Sequence, residues 1–203
     1  MKIGPRYKIA KRLGASVFDK TQSQKFALSA ERSSKTKRGG RGGMSEYGKQ
    51  MIEKQKVRFT YGLPERQLRN YVRAALTRGA GTPLERLHTN LELRLDNIIY
   101  RLGLASSRRA ARQMVAHGHV LINGKKMRIP SYPVKRRDAI MVREGSKGHG
   151  ALVGFAERAA ERTLPSWLMF DVAKMEGGVR ELPTAASADP AGDLAAVLSF
   201  YTR

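Results

Sequence analysis

The pair Asn123-Gly124 is the feature of this sequence that most constrains its fold. A two-residue β-turn needs positive φ at both central positions, which asparagine and glycine adopt readily. Apolar residues recur at every second position on either side, as the strands of a hairpin require. Residues 139–143 predict a further strand. The apolar positions that flank the turn are Val120, Ile122, Met127 and Ile129.

Helical periodicity precedes this hairpin. Thr82 and Pro83 are typical of a helix start, and apolar residues keep helical spacing across residues 84–102. Gly103 is suited to end a helix in the left-handed conformation. We therefore predict one long helix that ends at this glycine.

A second, shorter helix is predicted between that glycine and the hairpin. Ser106 or Ser107 is its N-cap, Ala116 lies at its end, and His117-Gly118 stops it. The predicted local order is helix, helix, hairpin, strand.

The segments on either side carry weaker signals. Residues 1–44 are basic, rich in Gly and Ser and only weakly periodic, whereas Ser45 and Pro64 each predict the start of a helix. Near the C-terminus, Asp189-Pro190 predicts a final helix with one apolar face. That face consists of Leu194, Val197, Leu198 and Tyr201.

The formal net charge of +22 is unevenly placed along the 203 residues. Residues 1–60 contain 16 Lys and Arg against 4 Asp and Glu, and residues 61–145 contain 17 against 6. Residues 146–203 contain 6 against 7. So large an excess repels itself in a compact fold, which points to a polyanionic partner, nucleic acid first. The nearly neutral and partly aromatic tail instead predicts packing on protein.

Other function classes find less support. A spanning helix needs about 20 apolar residues and a signal peptide needs an apolar stretch, and the sequence contains neither, so we expect no membrane association and a cytoplasmic location. The absence of cysteine excludes disulfides and cysteine-ligated zinc.

Basic residues collect on the predicted helix–hairpin module. Arg108 and Arg112 are four residues apart and share a helix face, with Arg109 beside them. Arginine donates to phosphate through a bidentate fork, and a helix N-terminus adds backbone N–H groups. We therefore predict an RNA-binding surface. Its predicted members are Arg101, Ser107, Arg108, Arg109, Arg112, Gln113, His117, Asn123, Lys125, Lys126, Tyr132, Lys135 and Arg136, with Arg66, Arg69, Arg73, Lys54 and Lys56 from the preceding helices.

The simpler interpretation of any one of these arginines is an ordinary solvated charge. Asn123 and Gly124 are turn formers first, whatever else they do. The clustering of so many cations on one small module, in a chain this basic, favours the RNA-binding interpretation.

Several short segments resemble the S-four RNA-binding module, namely residues 95–97, 101–103, 107–113, 117–125 and 129–132. Because that module occurs in several proteins, the flanking segments are more specific. They resemble the small-subunit ribosomal protein S-four family of bacterial and organellar type. These segments are residues 45–48, 53–56, 61–62, 65–67, 174–177 and 200–203.

The resemblance implies an α+β fold. A mostly helical N-terminal domain would carry an inserted module of two helices and a small antiparallel sheet, with a C-terminal tail that packs back on the helical domain. The implied boundaries are 1–93 for the basic N-terminal region and helical domain, 94–157 for the S-four module and 158–203 for the C-terminal segment.

The resemblance also implies a function. Family members bind small-subunit ribosomal RNA early in assembly, at a junction of the 5′ domain, and contact ribosomal protein S-five and other small-subunit proteins where translational accuracy is affected. The basic loop with Lys37, Arg38 and Arg41 would lie beside the path by which mRNA enters. We expect that the chain forms no obligate homo-oligomer. We expect it in a cytoplasmic ribosome, with an organellar ribosome as the alternative. A free translational repressor or an assembly factor is the alternative.

No cofactor or metal is expected. Many relatives bind zinc through cysteines near the N-terminus, and this chain has none, so it resembles the zinc-free type.

One segment suggests an enzyme instead. Arg94-Leu95-Asp96 resembles the motif of pseudouridine synthases, whose aspartate is a nucleophile. Those enzymes carry the motif in a separate catalytic domain. This chain has no room for another domain of about 200 residues. Asp96 is predicted to lie mid-helix, as a helix-surface or interdomain polar contact. No phosphate-binding loop, nucleophile elbow or HExxH motif occurs, so we predict that the chain is not an enzyme.

Overall fold

The computed structural model describes residues 3–14, 17–18, 21–35, 44–77, 79–148, 150–152, 155, 163–184 and 192–202. The chain forms two compact units, one of residues 1–79 with 190–203 and one of residues 80–189. The domain boundaries at 93/94 and 157/158 stay predictions. Lys37, Arg38 and Arg41 lie outside the described residues, as do Asp189 and Pro190.

The described part of the first unit is helical. Two of its helices lie in the N-terminal region where the sequence showed little periodicity. They form because three residues, Ala10, Phe18 and Phe26, bury their side chains together and pack against Phe59. The helices are α1 (Arg6–Leu13), α2 (Gln24–Lys35), α3 (Glu46–Thr60), α4 (Glu65–Leu76) and α8 (Leu194–Tyr201).

Of the three helix starts predicted for this unit, one is confirmed and two are shifted. Ser45 caps α3 as predicted, and its hydroxyl accepts a hydrogen bond from the N–H of Gly48. Pro64 occupies the N-cap of α4 rather than its first helical position. The final helix begins later than predicted, because Asp193 caps it and accepts from the N–H groups of residues 195 and 196. A short capping side chain sets that start.

The second unit carries a five-stranded antiparallel sheet in the order β2-β1-β3-β5-β4. The predicted hairpin is confirmed: Asn123 and Gly124 have φ of 50° and 77°, and Ile122 pairs with Lys125 across the turn. The predicted third strand is confirmed as β3. The elements are α5 (Pro83–Glu92), α6 (Leu95–Arg101), α7 (Arg108–Ala116), β1 (Val120–Ile122), β2 (Lys125–Met127), β3 (Ala139–Val142), β4 (Leu168–Asp171) and β5 (Glu176–Val179).

The prediction of one long helix across residues 84–102 is wrong. The chain leaves the helix at Leu93, and Arg94 is extended with ψ of 135°. At this point the backbone is hydrogen-bonded to the loop that follows the hairpin. The N–H of Leu95 donates to the carbonyl of Tyr132, and the N–H of Val134 donates to the carbonyl of Leu93. These long-range bonds replace helical ones. Apolar spacing alone cannot reveal that exchange.

The last two strands were not predicted. Trp167, Leu168 and Val179 are buried in the core of the second unit, where β5 pairs with β3. Gly177 permits the close approach of β4, because a Cβ there would lie 2.7 Å from the carbonyl oxygen of Met169. The final helix, α8, packs on α3 and α4 of the first unit. The α+β fold, with its helical unit, its small antiparallel sheet and its returning tail, is confirmed.

In the part of the chain that the structure describes, no helix combines the length and apolarity needed to cross a membrane.

Candidate nucleic-acid interface

Helix α7 presents a basic face next to its own N-terminus. Ser107 caps it, and its hydroxyl accepts from the N–H of Ala110. The opposite face buries Ala111, Met114 and Val115 against the core, and α7 packs on α6. The buried face thereby turns the predicted RNA-binding residues outward. Arg109, Gln113 and His117 are all exposed.

The other three predicted arginines of this region are half-buried. Arg112 donates to Asp96 through Nε and Nη2, at 2.9 and 2.7 Å, and Arg101 donates to Glu92 at 3.1 and 3.0 Å. Arg108 donates from Nε to the Asn97 side-chain oxygen at 2.8 Å, and its guanidinium lies over the Tyr100 ring. These arginines therefore have defined orientations.

The placement predicted for Asp96 on a helix surface or between domains is wrong. Asp96 lies in the first turn of α6 with its side chain 3% exposed, paired with Arg94 and Arg112 inside the second unit. Both of its oxygens accept hydrogen bonds from guanidinium groups, an arrangement that suits a structural ion pair.

Strand β2 adds exposed cations at the edge of the sheet. Lys125 and Lys126 are both exposed. The side chains of Lys126 and Arg128 lie over Gly118 so closely that a Cβ would collide with Lys126, and this glycine has φ of 74°. The β2 cations therefore adjoin the C-terminal end of α7. Arg128 is exposed and was not predicted, although its position two residues after a Lys-Lys pair could have revealed it.

Asp138 joins the hairpin turn to the following basic loop. Its carboxylate accepts from the Asn123 side chain at 2.8 Å and from the N–H of Lys135 at 2.9 Å. Tyr132 lies 3.5 Å from the same carboxylate, and burial together with the charge of Asp138 raises the pKa of its hydroxyl. Lys135 and Arg136 are exposed beside it. Tyr132 packs partly against the core, so part of its ring is not available to RNA.

The predicted residues of the first unit divide into two groups. Arg66, Arg69 and Arg73 are exposed on α4 and line a surface depression of about 500 Å³. Lys54 is buried, bonded to Glu65 at 2.7 Å with its Nζ 4.4 Å from the Phe200 ring centre, so its geometry supports packing more than RNA contact. Lys56 is paired with Glu53 at 2.6 Å.

Among the described residues, no three His, Asp or Glu side chains are grouped in a way that could hold a metal ion.

A capped helix packed on a second helix, followed by a small antiparallel sheet with a basic edge, defines a protein with an S4 domain, which is the S-four RNA-binding module. The S4 domain matches residues 93–140, and the ribosomal protein S4/S9 N-terminal domain matches residues 1–94.

Curated relatives extend this likeness over the whole chain. The small ribosomal subunit protein uS4 of Hahella chejuensis is 40% identical, with 99% of this chain and 98% of that protein covered. The proteins of the same name from Shewanella loihica and Chromobacterium violaceum are 42% and 38% identical, with 89% and 99% of this chain and 88% and 98% of those proteins covered. The chain belongs to the small ribosomal subunit protein uS4 family. This is a family of structural proteins of the ribosome, so the predictions of a ribosomal protein and of a chain that is not an enzyme are confirmed.

Proposed function

We propose that this chain binds small-subunit ribosomal RNA directly through its S4 domain and thereby helps to nucleate assembly of the subunit at a junction of the 5′ domain. One observation supports the proposal most strongly. Exposed cations from α7, from β2 and from the loop that follows the hairpin belong to one compact unit, and packing and hydrogen bonds hold their elements together. Such a rigid cationic surface suits the fixed phosphate positions of a folded RNA.

Membership of this family supports finer proposals as well. We propose contacts with ribosomal protein S-five and other small-subunit proteins, a contribution to translational accuracy, and a place for Lys37, Arg38 and Arg41 beside the path by which mRNA enters. We propose a cytoplasmic ribosome as the location, with an organellar ribosome as the alternative.

The proposal is tested by removing exposed charge from this surface and from a matched surface of the same unit. The triple variant Arg109→Ala, Lys125→Ala, Lys126→Ala should weaken binding to a small-subunit RNA fragment and make the log–log salt slope shallower by about 2–3. For the unchanged protein we expect a slope steeper than about −4. The control is Lys174→Ala with Arg180→Ala, which removes exposed cations near β5. Equal losses in both variants would contradict the placement of the interface, and a slope near zero would contradict phosphate-driven binding.

The alternative function, a free translational repressor or an assembly factor, makes a different prediction for sedimentation. A constituent co-migrates with mature small subunits at stoichiometric level. Loss of the chain from mature particles would favour the alternative.

A further inference from the structure

Two carboxylates are buried beneath the cationic surface of the second unit. Glu92, the last residue of α5, has a side chain with 0% exposure, and that of Asp96 at the start of α6 is 3% exposed. Buried acids in a region that would meet a polyanion need a specific reason, because a negative charge repels RNA and burial of any charge is costly.

Asp96 connects one buried arginine to one that reaches the surface. Arg94 donates to both carboxylate oxygens, at 3.0 and 2.9 Å, and its side chain is 2% exposed. Arg112 donates twice to Oδ2, and its side chain keeps 31% exposure. Arg94 therefore supports the carboxylate from within, while the same carboxylate holds Arg112 in one orientation at the surface.

Glu92 arranges two further arginines. Its carboxylate accepts from both Nε and Nη2 of Arg101. It also accepts from the Asn97 amide nitrogen at 3.0 Å, and the oxygen of that same amide accepts from Arg108. Since Asn97 donates to the Glu92 backbone carbonyl as well, its amide orientation is set, and the orientation of Arg108 follows from it.

We propose that Asp96 and Glu92 are positioning residues for RNA recognition, which rests on the function proposed above. They hold Arg112, Arg101 and Arg108 in fixed orientations matched to the phosphates of a folded RNA. A guanidinium fork binds phosphate directionally, so an arginine fixed in advance loses less conformational entropy on binding. A flexible polyanion adapts to any cation, whereas a folded RNA does not. The network thus raises selectivity for folded RNA more than it raises general affinity for polyanions.

The direction in which RNA affinity changes distinguishes the positioning of Arg112 by Asp96 from a simple effect of charge. Asp96→Asn removes a negative charge with little change of shape, so long-range electrostatics alone predicts tighter RNA binding. Positioning predicts the opposite. We expect affinity for a folded small-subunit RNA fragment to fall about tenfold, affinity for heparin to stay equal or rise, and the salt slope for the RNA to become shallower by about 1. Binding is measured well below the melting temperature of the variant, after circular dichroism shows that it is folded.

A double-mutant cycle tests whether Asp96 affects RNA binding through Arg112. If Asp96 acts through Arg112, Asp96→Asn should add little to the loss already caused by Arg112→Gln. The control Glu144→Gln removes an exposed carboxylate of the same unit that is paired with Lys147 at 2.8 Å, and RNA binding should stay equal or tighten. Additive losses in the cycle would contradict the proposed route through Arg112.

Arg112→Lys is the second variant, used where Asp96→Asn does not fold. It keeps the charge at a partly exposed position but removes the fork, so RNA affinity should fall nearly as far as in Arg112→Gln while heparin binding persists. Unchanged RNA affinity in Arg112→Lys, or unchanged or tighter binding in folded Asp96→Asn, overturns the inference and leaves the proposed function intact. Failure of the unchanged protein to bind the RNA overturns the proposed function itself.

Discussion

At the scale of single residues, Asn123 combines two requirements at one position. Its backbone has φ of 50°, a conformation that costs most side chains energy. Its side chain donates to Asp138 and accepts from the N–H of Ala139 at 2.9 Å. The residue thus shapes the turn and also ties it to the basic loop after β2.

Two substitutions separate these requirements. Asn123→Gly keeps the positive φ and loses both side-chain hydrogen bonds, which should cost about 1 kcal/mol because the site is exposed. Asn123→Ala loses the same bonds and adds backbone strain of about 1 kcal/mol. Free energies of unfolding from urea titration should therefore rank the native protein first, the glycine variant second and the alanine variant last. An alanine variant as stable as the glycine variant would show that the turn conformation carries no strain.

At the scale of elements, the packing of α8 on α3 and α4 depends on a small polar cluster. The Tyr201 hydroxyl donates to Glu65 at 2.6 Å, and Lys54 bonds the same carboxylate oxygen at 2.7 Å. Phe200 lies over Lys54 and stacks on Tyr47. Burial favours a higher pKa for Glu65, but hydrogen bonds from Lys54, Tyr201 and Arg58 outweigh it, and the pKa lies below its ordinary 4.5.

The sign of the pH dependence follows from that lowered pKa. Glu65 contributes stability above about pH 4.5, and the contribution is lost as the pH falls through the lower pKa of the folded state. Tyr201→Phe should raise the pKa of Glu65 toward 4.5 and cost about 1 kcal/mol, since the carboxylate keeps a third of its exposure.

Carbon-detected NMR titration of the Glu65 carboxyl measures this shift. Thr202→Ala, which removes a hydroxyl bonded within α8 itself, serves as the control and should leave the pKa unchanged. An unmoved pKa in Tyr201→Phe would mean that the hydroxyl does not hold the carboxylate in its ionised form.

At the scale of the whole molecule, the net charge of +22 makes stability and RNA binding respond oppositely to salt. Added salt screens the self-repulsion of the folded chain and stabilises it. The same salt weakens RNA binding. Binding releases counterions from the phosphates, and the entropy gained by that release is smaller when the salt concentration is higher.

We therefore expect the melting temperature of the free protein to rise by about 2–4 °C between low and physiological salt, the shift that about 1 kcal/mol produces in a chain of this size. RNA affinity should fall across the same range. Differential scanning calorimetry and filter binding in one buffer series test both. A melting temperature that falls together with the affinity would show that surface ion pairs outweigh the net repulsion.

Local signals in the sequence account for much of the second unit. The Asn123-Gly124 turn and the Ser107 cap of α7 were predictable because short-range rules decide them. The break at Leu93 and Arg94 was not, because distant backbone groups satisfy it: Leu95 bonds Tyr132, 37 positions further along the chain, and Leu93 bonds Val134, 41 positions further along. Strands β4 and β5 were missed for a similar reason, since they are stable only when paired with β3.

By itself, the sequence determined the Ser45 and Ser107 helix caps, the hairpin turn and the family, and it indicated a polyanionic partner, because each of these depends on residue type and on spacing along the chain. Only the tertiary structure decided which arginines are fixed and which are exposed. Arg112 and Arg109 are indistinguishable as sequence letters, yet one is bonded to the buried Asp96 and the other is exposed. The physical reason is that the partners of a buried carboxylate lie on different helices. These side chains come within hydrogen-bonding distance only when α5, α6 and α7 pack together.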